Sequence, residues 1–223
     1  MRFIHQLKRS LLQTKELSRV PAFEKLPEMV SAKSQFCELK EEIVRKHAVY
    51  IREVSSADMA ISLELAIFLL SYCLWKQPKN LLDLGAGFSS YVFRLYREAV
   101  GNFVVVYSVD DHVEWMCKTQ HYLESAGLNA EHIYLLSELQ GQVLDGHFDL
   151  VLLDLNYVDV RRDYISYAGQ LLSANGAVIV DDVHKVQFLR EVKRVAAAEK
   201  LCLFNIKKTT VDEFGRFSIL MKR

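Results

Sequence analysis

The run Leu81-Leu82-Asp83-Leu84-Gly85-Ala86-Gly87-Phe88-Ser89-Ser90 decides the fold. A short apolar segment ends in an acid, and a Gly-x-Gly turn leads into two serines. Glycine tolerates turn dihedrals that a side chain forbids, and it lets backbone approach a ligand closely. Ser89 or Ser90 suits the start of a helix, where a hydroxyl accepts from a free backbone N–H. Strand, tight turn and helix start, in that order, form the ligand-binding corner of a parallel α/β sheet. The dinucleotide fingerprint asks for a third glycine where Ser90 stands, and a phosphate-binding loop asks for Gly-Lys-Ser/Thr, which is absent. Asp83 would repel a pyrophosphate and would favour a ligand bearing an ammonium group.

Working outward, short apolar runs recur at 80–84, 103–109, 132–136, 148–155, 177–180, 201–206 and 216–221. Several are continuously apolar, as strands buried on both faces are. Amphipathic stretches at 90–99, 113–126, 160–172 and 186–198 separate them, and this alternation predicts a parallel sheet covered by helices. Only residues 209–215 part the last two runs, enough for a hairpin and too few for a crossover helix. The expected fold is therefore α/β and Rossmann-like: seven strands, mostly parallel, ending in an antiparallel pair. Upstream, residues 34–50 and 58–76 predict two helices, the second capped by Ser56. The expected division is an N-terminal helical cap over 1–76 and a ligand-binding domain over 77–223.

Of 223 residues, 51% are hydrophobic and 25% charged, a globular balance. Twenty-eight basic and 28 acidic side chains cancel, which argues against a nucleic-acid partner bound by bulk positive charge. The apolar stretch 59–75 is short for a membrane span and contains Glu64, so it predicts a buried helix. Cys37, Cys73, Cys117 and Cys202 have no metal-ligand spacing and suit reduced thiols in a cytoplasmic protein.

Three further runs end in acids: Asp110-Asp111, Asp154 and Asp181-Asp182. An acid after the second strand can accept hydrogen bonds from ribose hydroxyls, or can cap the next helix. Adjacent strand ends lie about 5 Å apart, so Asp154, Asp181 and Asp182 would converge. Crowded carboxylates either retain a proton or gain a cation, and Mg²⁺ prefers such oxygen ligands.

Together these residues resemble the class I S-adenosylmethionine-dependent methyltransferases. Asp83 to Gly87 match the family's first motif and Asp110 its ribose-binding acid, over about the last two-thirds of the chain. The resemblance implies a sheet in which only the last strand is antiparallel. It implies S-adenosylmethionine held by Asp83, Gly85, Ala86, Gly87, Phe88, Ser89, Asp110, Asp111 and Asp154, with Ser137 near the adenine. Asp154, Asp181 and Asp182 also resemble the metal sites of bacterial small-molecule O-methyltransferases and of the catechol and caffeoyl-CoA type, implying Mg²⁺. Tyr157 stands where the catechol-type enzymes carry a lysine base, which leaves His184, two residues after Asp182, as the best alternative base. Asp154, Tyr157 and His184 are thus the candidate catalytic residues.

In related enzymes the helices before the first motif cover the active-site mouth, which makes Ser55, Ser56, Met59 and Ser62 candidates to face the acceptor. Dimerisation through the same helices is the alternative. The expected activity is methyl transfer to a small-molecule hydroxyl. The competing readings are a NAD-type oxidoreductase and a non-catalytic binding or assembly protein on the same fold.

Overall fold

A computed structural model describes residues 2–23, 30, 34–140 and 146–223. Its sheet is built from β1 (Asn80–Leu84), β2 (Val105–Asp110), β3 (Ile133–Leu135), β4 (Phe148–Leu153), β5 (Leu172–Val180), β6 (Cys202–Asn205) and β7 (Ile219–Lys222). The spatial order is β3-β2-β1-β4-β5-β7-β6. The first five strands in that order run parallel, and β7 lies antiparallel between β5 and β6. The expected sheet is therefore present, including its single reversed strand.

The helices are α1 (Arg2–Leu17), α2 (Ser34–Glu53), α3 (Leu63–Lys76), α4 (Phe88–Val100), α5 (Val113–Ser125), α6 (Leu136–Gln140), α7 (Val158–Gln170), α8 (Val186–Ala198) and α9 (Lys207–Thr210). Alternation along each strand sends successive side chains to opposite faces. Leu81, Leu150, Leu152, Ala177 and Ile179 face one side, where they pack with Ile43 and Tyr50 of α2, Leu65 and Phe68 of α3, and Phe93 of α4. Leu82, Val151, Leu153, Val178 and Val180 face the other, against Ile165 of α7, Phe188 and Leu189 of α8, and Leu17 of α1. Both faces are covered, which is why these strands read as unbroken apolar runs.

Two details upstream differ from the sequence reading. The second N-terminal helix begins at Leu63, and Ser62 caps it by accepting from Leu65 N–H at 3.0 Å. Ser56 is not the cap, because its hydroxyl turns to Asp58 Oδ1 at 2.7 Å. Among the described residues no helix is long and apolar enough to cross a membrane. Residues 21–23 run beside β6, where Asn205 N–H donates to Pro21 O and accepts through its carbonyl from Phe23 N–H. That contact covers an edge that would otherwise expose unpaired backbone groups.

Candidate active site

The strand order reverses between β1 and β4, each of which continues to its own side of the sheet. Such a switch point opens a crevice at the carboxyl ends of the strands. A cavity of about 730 Å³ lies there, lined by residues 85–89 after β1, 110–112 after β2, Asp154 and residues 156–158 after β4, and Asp181, Asp182, His184 and Lys185 after β5. Its volume suits a ligand of cofactor size.

The floor is the glycine turn. Gly85 has φ +115°, and a Cβ there would sit 2.5 Å from the carbonyl oxygen of Asp154. The turn is pinned from both sides, by Gly85 N–H donating to Val109 O at 2.8 Å and Asp154 N–H donating to Leu84 O at 2.7 Å. Beneath it, Gly87 N–H donates to Ser90 Oγ at 3.2 Å, and Ser90 Oγ donates to Asp83 Oδ2 at 2.6 Å. Ser89 Oγ reaches the same oxygen at 2.9 Å. Trp115 of α5 closes the side, its Nε1–H donating to Ala86 O at 2.6 Å.

Asp83 is fully buried and does not line the cavity. Asp83 braces the turn from below through the two serines. Burial pushes its carboxyl up to about 7, opposed by the hydroxyl bonds from Ser90 and Ser89. Among the described residues Asp83 Oδ1 has no partner, an open acceptor under the turn. Gly85, Ala86, Gly87, Phe88, Ser89, Asp110, Asp111 and Asp154 do line the cavity. Burial, with the charge of Asp111 adding, raises Asp110 to about 6, and one of its oxygens accepts from His112 N–H at 2.9 Å. Asn156 Nδ2–H donates to Asp111 Oδ2 at 2.7 Å and so joins the loops after β2 and β4. Ser137, expected near the adenine, is not among the residues that line the cavity. β3 spans Ile133–Leu135 and passes directly into α6, where Ser137 is exposed.

The acidic rim contains a residue that the sequence reading passed over. Arg161, buried in the first turn of α7, inserts its guanidinium between Asp154 and Asp182. Its Nη2 lies 2.7 Å from Asp154 Oδ1 and its Nη1 lies 3.1 Å from Asp182 Oδ2. Nε–H donates to Leu155 O at 3.1 Å, and Nη2–H also donates to Asn156 O at 2.8 Å. Asp181 lines the same cavity, with its Oδ1 accepting from Ser218 Oγ at 2.6 Å. Burial and the neighbouring Asp182 charge hold Asp181 above the usual carboxylate range. Asp182 goes the other way: burial opposes its ionisation, yet His184 and Arg161 hold it down to about 2.

These three carboxylates do not fit a divalent cation. The place between two of them is filled by a permanently charged guanidinium, and the third is hydrogen-bonded elsewhere. Among the described residues no group of three His, Cys, Asp or Glu side chains is arranged to hold a metal ion. The Mg²⁺ assignment to Asp154, Asp181 and Asp182 is accordingly not carried forward. The charge repulsion foreseen from sequence is real, and an arginine relieves it.

His184 lines the cavity with its Nδ1 3.2 Å from Asp182 Oδ1. Its backbone carbonyl accepts from Gln13 Nε2–H of α1 at 2.7 Å, so the first helix holds the loop that carries it. Tyr157 stands at the rim, 67% exposed. At the mouth, Arg216 donates to the carbonyls of Ala57 and Asp58 at 2.8 and 2.7 Å, which draws residues 58–61 over the opening. Met59 lines the cavity as expected. Ser55, Ser56 and Ser62 do not; the last two are committed to Asp58 and to the α3 cap.

The fold agrees with that of several solved methyltransferases. The O-methyltransferase from Bacillus cereus, in complex with SAH, superposes with a TM-score of 0.62 at 17% identity, covering 90% of this chain and 97% of that one. The O-methyltransferase TomG from Streptomyces achromogenes, involved in tomaymycin synthesis and in complex with SAM, gives a TM-score of 0.62 at 18% identity over 87% and 93%.

The chain has the class I methyltransferase fold.

In sequence, it is 32% identical over 147 residues to a leucine carboxyl methyltransferase 1 homolog of Arabidopsis thaliana. The match covers 63% of this chain and 42% of the relative, so the chain spans less than half the length of that protein. No family model matches. In this class I fold the chain places a glycine turn, a second-strand acid and an Asp–His pair around one cavity, with a buried arginine at its rim.

Proposed function

We propose that the chain is an S-adenosylmethionine-dependent methyltransferase that acts on an oxygen of a small-molecule acceptor. The observation that carries this reading is the convergence, in one cavity, of the Gly85–Ala86–Gly87 turn and Asp110 with His184 and Asp182. The first pair suits a nucleoside cofactor, and the second suits proton removal from a hydroxyl. The cofactor residues fit: the turn presents backbone, Asp110 faces the cavity, and Asp83 braces the turn from below through Ser89 and Ser90. When bound, S-adenosylmethionine supplies an electrophilic methyl carbon whose loss leaves its sulfur a neutral thioether.

The chain's own part is positioning and proton transfer. The pinned turn and Trp115 fix where the cofactor lies, which favours in-line approach by a held acceptor. His184, with Nδ1 3.2 Å from Asp182 Oδ1, takes the hydroxyl proton at Nε2, and ionised Asp182 stabilises the imidazolium that results. A dinucleotide fits less well. The Gly87 N–H, which would meet a pyrophosphate at the start of α4, is already committed to Ser90 Oγ. A cytoplasmic setting belongs to the same proposal.

Calorimetric titration with S-adenosylmethionine and, separately, with NAD⁺ tests the reading. Micromolar binding of the first alone supports it. Binding of neither returns the non-catalytic reading, and binding of NAD⁺ alone overturns the proposal. With the cofactor established, a panel of hydroxylated and carboxylated acceptors then separates two kinds of oxygen. A hydroxyl acceptor requires His184, so His184→Ala abolishes its turnover. A carboxylate needs no base and loses little.

A further inference from the structure

We propose that Arg161 is the resident cation of the acceptor site, standing in the place of a divalent metal, and that methyl transfer by this chain needs no metal ion. The activity half of this statement rests on the proposed function; the cation half rests on geometry alone.

The residue is built in rather than incidental. Its guanidinium has five N–H donors in a rigid plane and does not deprotonate in proteins. Four directed contacts hold it: Leu155 O, Asn156 O, Asp154 Oδ1 and Asp182 Oδ2. Two of these are backbone carbonyls of the loop after β4, so the group is held in position even where a carboxylate is withdrawn. Placement follows from helix geometry. Arg161 lies in the first turn of α7, where side chains lean towards the helix N-terminus and hence towards the end of β4. A divalent ion sharing Asp154 and Asp182 would have to displace the guanidinium or sit beside it, like charge against like.

The same contacts assign Arg161 a positioning role. By holding Asp182 through Oδ2, it fixes the carboxylate whose Oδ1 lies 3.2 Å from His184 Nδ1, an ion-pair contact without hydrogen-bond geometry, and so places the charge beside the proposed base. A hydroxyl at His184 then loses its proton to the imidazole rather than to a metal-bound site. Its oxygen forms the new C–O bond as the C–S bond breaks, and that electron pair stays on sulfur. The step balances without a metal.

Manganese titration followed by electron paramagnetic resonance tests the cation assignment on the full chain, with Mn²⁺ alone as the probe. Wild-type protein is expected to leave the free Mn²⁺ signal undiminished up to millimolar metal. Arg161→Gly, which empties the space between the carboxylates, is expected to bind one Mn²⁺ on the order of 100-fold tighter, given the unit charge removed beside the dication. A stoichiometric submillimolar site in the wild type that Asp154→Asn abolishes would overturn the proposal. Should Arg161→Gly fail to fold, the wild-type titration decides the question alone. Calorimetry with S-adenosylmethionine on the same samples keeps the two readings apart. Loss of cofactor binding strikes the proposed function and leaves the manganese result standing. Where turnover is found, equal rates in excess EDTA and in millimolar Mg²⁺ support metal independence, and dependence on Mg²⁺ refutes it.

Discussion

Gly85 and Gly87 sit two residues apart in one motif, and the structure assigns them different work. At Gly85 an alanine Cβ would lie 2.5 Å from Asp154 O, 2.6 Å from Asp154 C and 2.8 Å from Leu155 N. All three are backbone atoms at the end of β4, so no side chain can swing aside. The φ of +115° adds conformational strain that only glycine avoids. Strain at such a dihedral costs about 1–3 kcal/mol, and overpacking a closed contact costs about the same again. Gly85→Ala should therefore destabilise by roughly 2–6 kcal/mol, a large share of ordinary domain stability. For a chain of this size that corresponds to a fall in Tm of roughly 4–24 °C. At Gly87 the nearest atom to an added Cβ is the Tyr50 hydroxyl at 3.4 Å, followed by Trp115 Nε1 at 3.8 Å. Both are ordinary contacts, and Gly87→Ala should keep stability within about 1 kcal/mol of wild type. Its methyl nevertheless lines the cavity, so cofactor affinity falls. Urea unfolding by circular dichroism measures the first effect, and calorimetric titration measures the second. A Gly85→Ala protein as stable as wild type, or a Gly87→Ala protein that unfolds first, would refute the close approach of β1 and β4 on which this reasoning rests.

Three other outcomes are expected. Asp83 holds its proton more tightly in the folded chain than at its ordinary value of 3.8, so stability falls as pH rises from about 4 to about 7 and is level above that. The share due to Asp83 is on the order of 4 kcal/mol, and urea midpoints from pH 4 to 8.5 should lose that slope in Asp83→Asn; an unchanged slope would reject the assignment. Ser62→Ala removes the hydroxyl that accepts from Leu65 N–H and should lower stability by about 1 kcal/mol in urea unfolding, with no change in the denaturant slope. Trp115 lines the cavity whereas Trp75 packs against Phe23, Tyr72 and Lys76, so S-adenosylmethionine should alter the fluorescence of Trp75→Phe and leave that of Trp115→Phe unchanged.

The parts of the site that rest on local chain geometry were legible in the sequence. The turn after β1 needs glycine for a backbone reason, and Asp110, Asp154 and Asp182 follow their strands by simple continuation, so each arrives at the strand ends. Burial of both sheet faces showed as unbroken apolar runs for the same local reason. What was hidden depends on where a side chain goes in three dimensions. Arg161 is one of two adjacent arginines on an amphipathic stretch, and only the meeting of α7 with the loops after β4 and β5 reveals its partners. A signal did exist: three converging acids demand a counter-charge, and an arginine in the first helical turn after Asp154 is within reach. Ser62 was missed as a cap because Ser56 offers the same chemistry, and only the extended backbone at Ser62 lets its hydroxyl reach Leu65.

The reversed strand has a kinetic consequence. β7 fills the gap between β5 and β6, pairing Ile179 with Leu220 on one side and Phe204 with Leu220 on the other. Until it inserts, β6 has no hydrogen-bonded neighbour within the sheet, and the outer edge of β5 stands open. An open apolar edge is where chains stick to one another. Insertion also delivers Ser218 to Asp181 and Arg216 to the loop over the cavity. Closure of the sheet and completion of the pocket thus depend on the same strand. Mutations that weaken β7 will show themselves first as aggregation during refolding, before any loss of affinity in the protein that does fold.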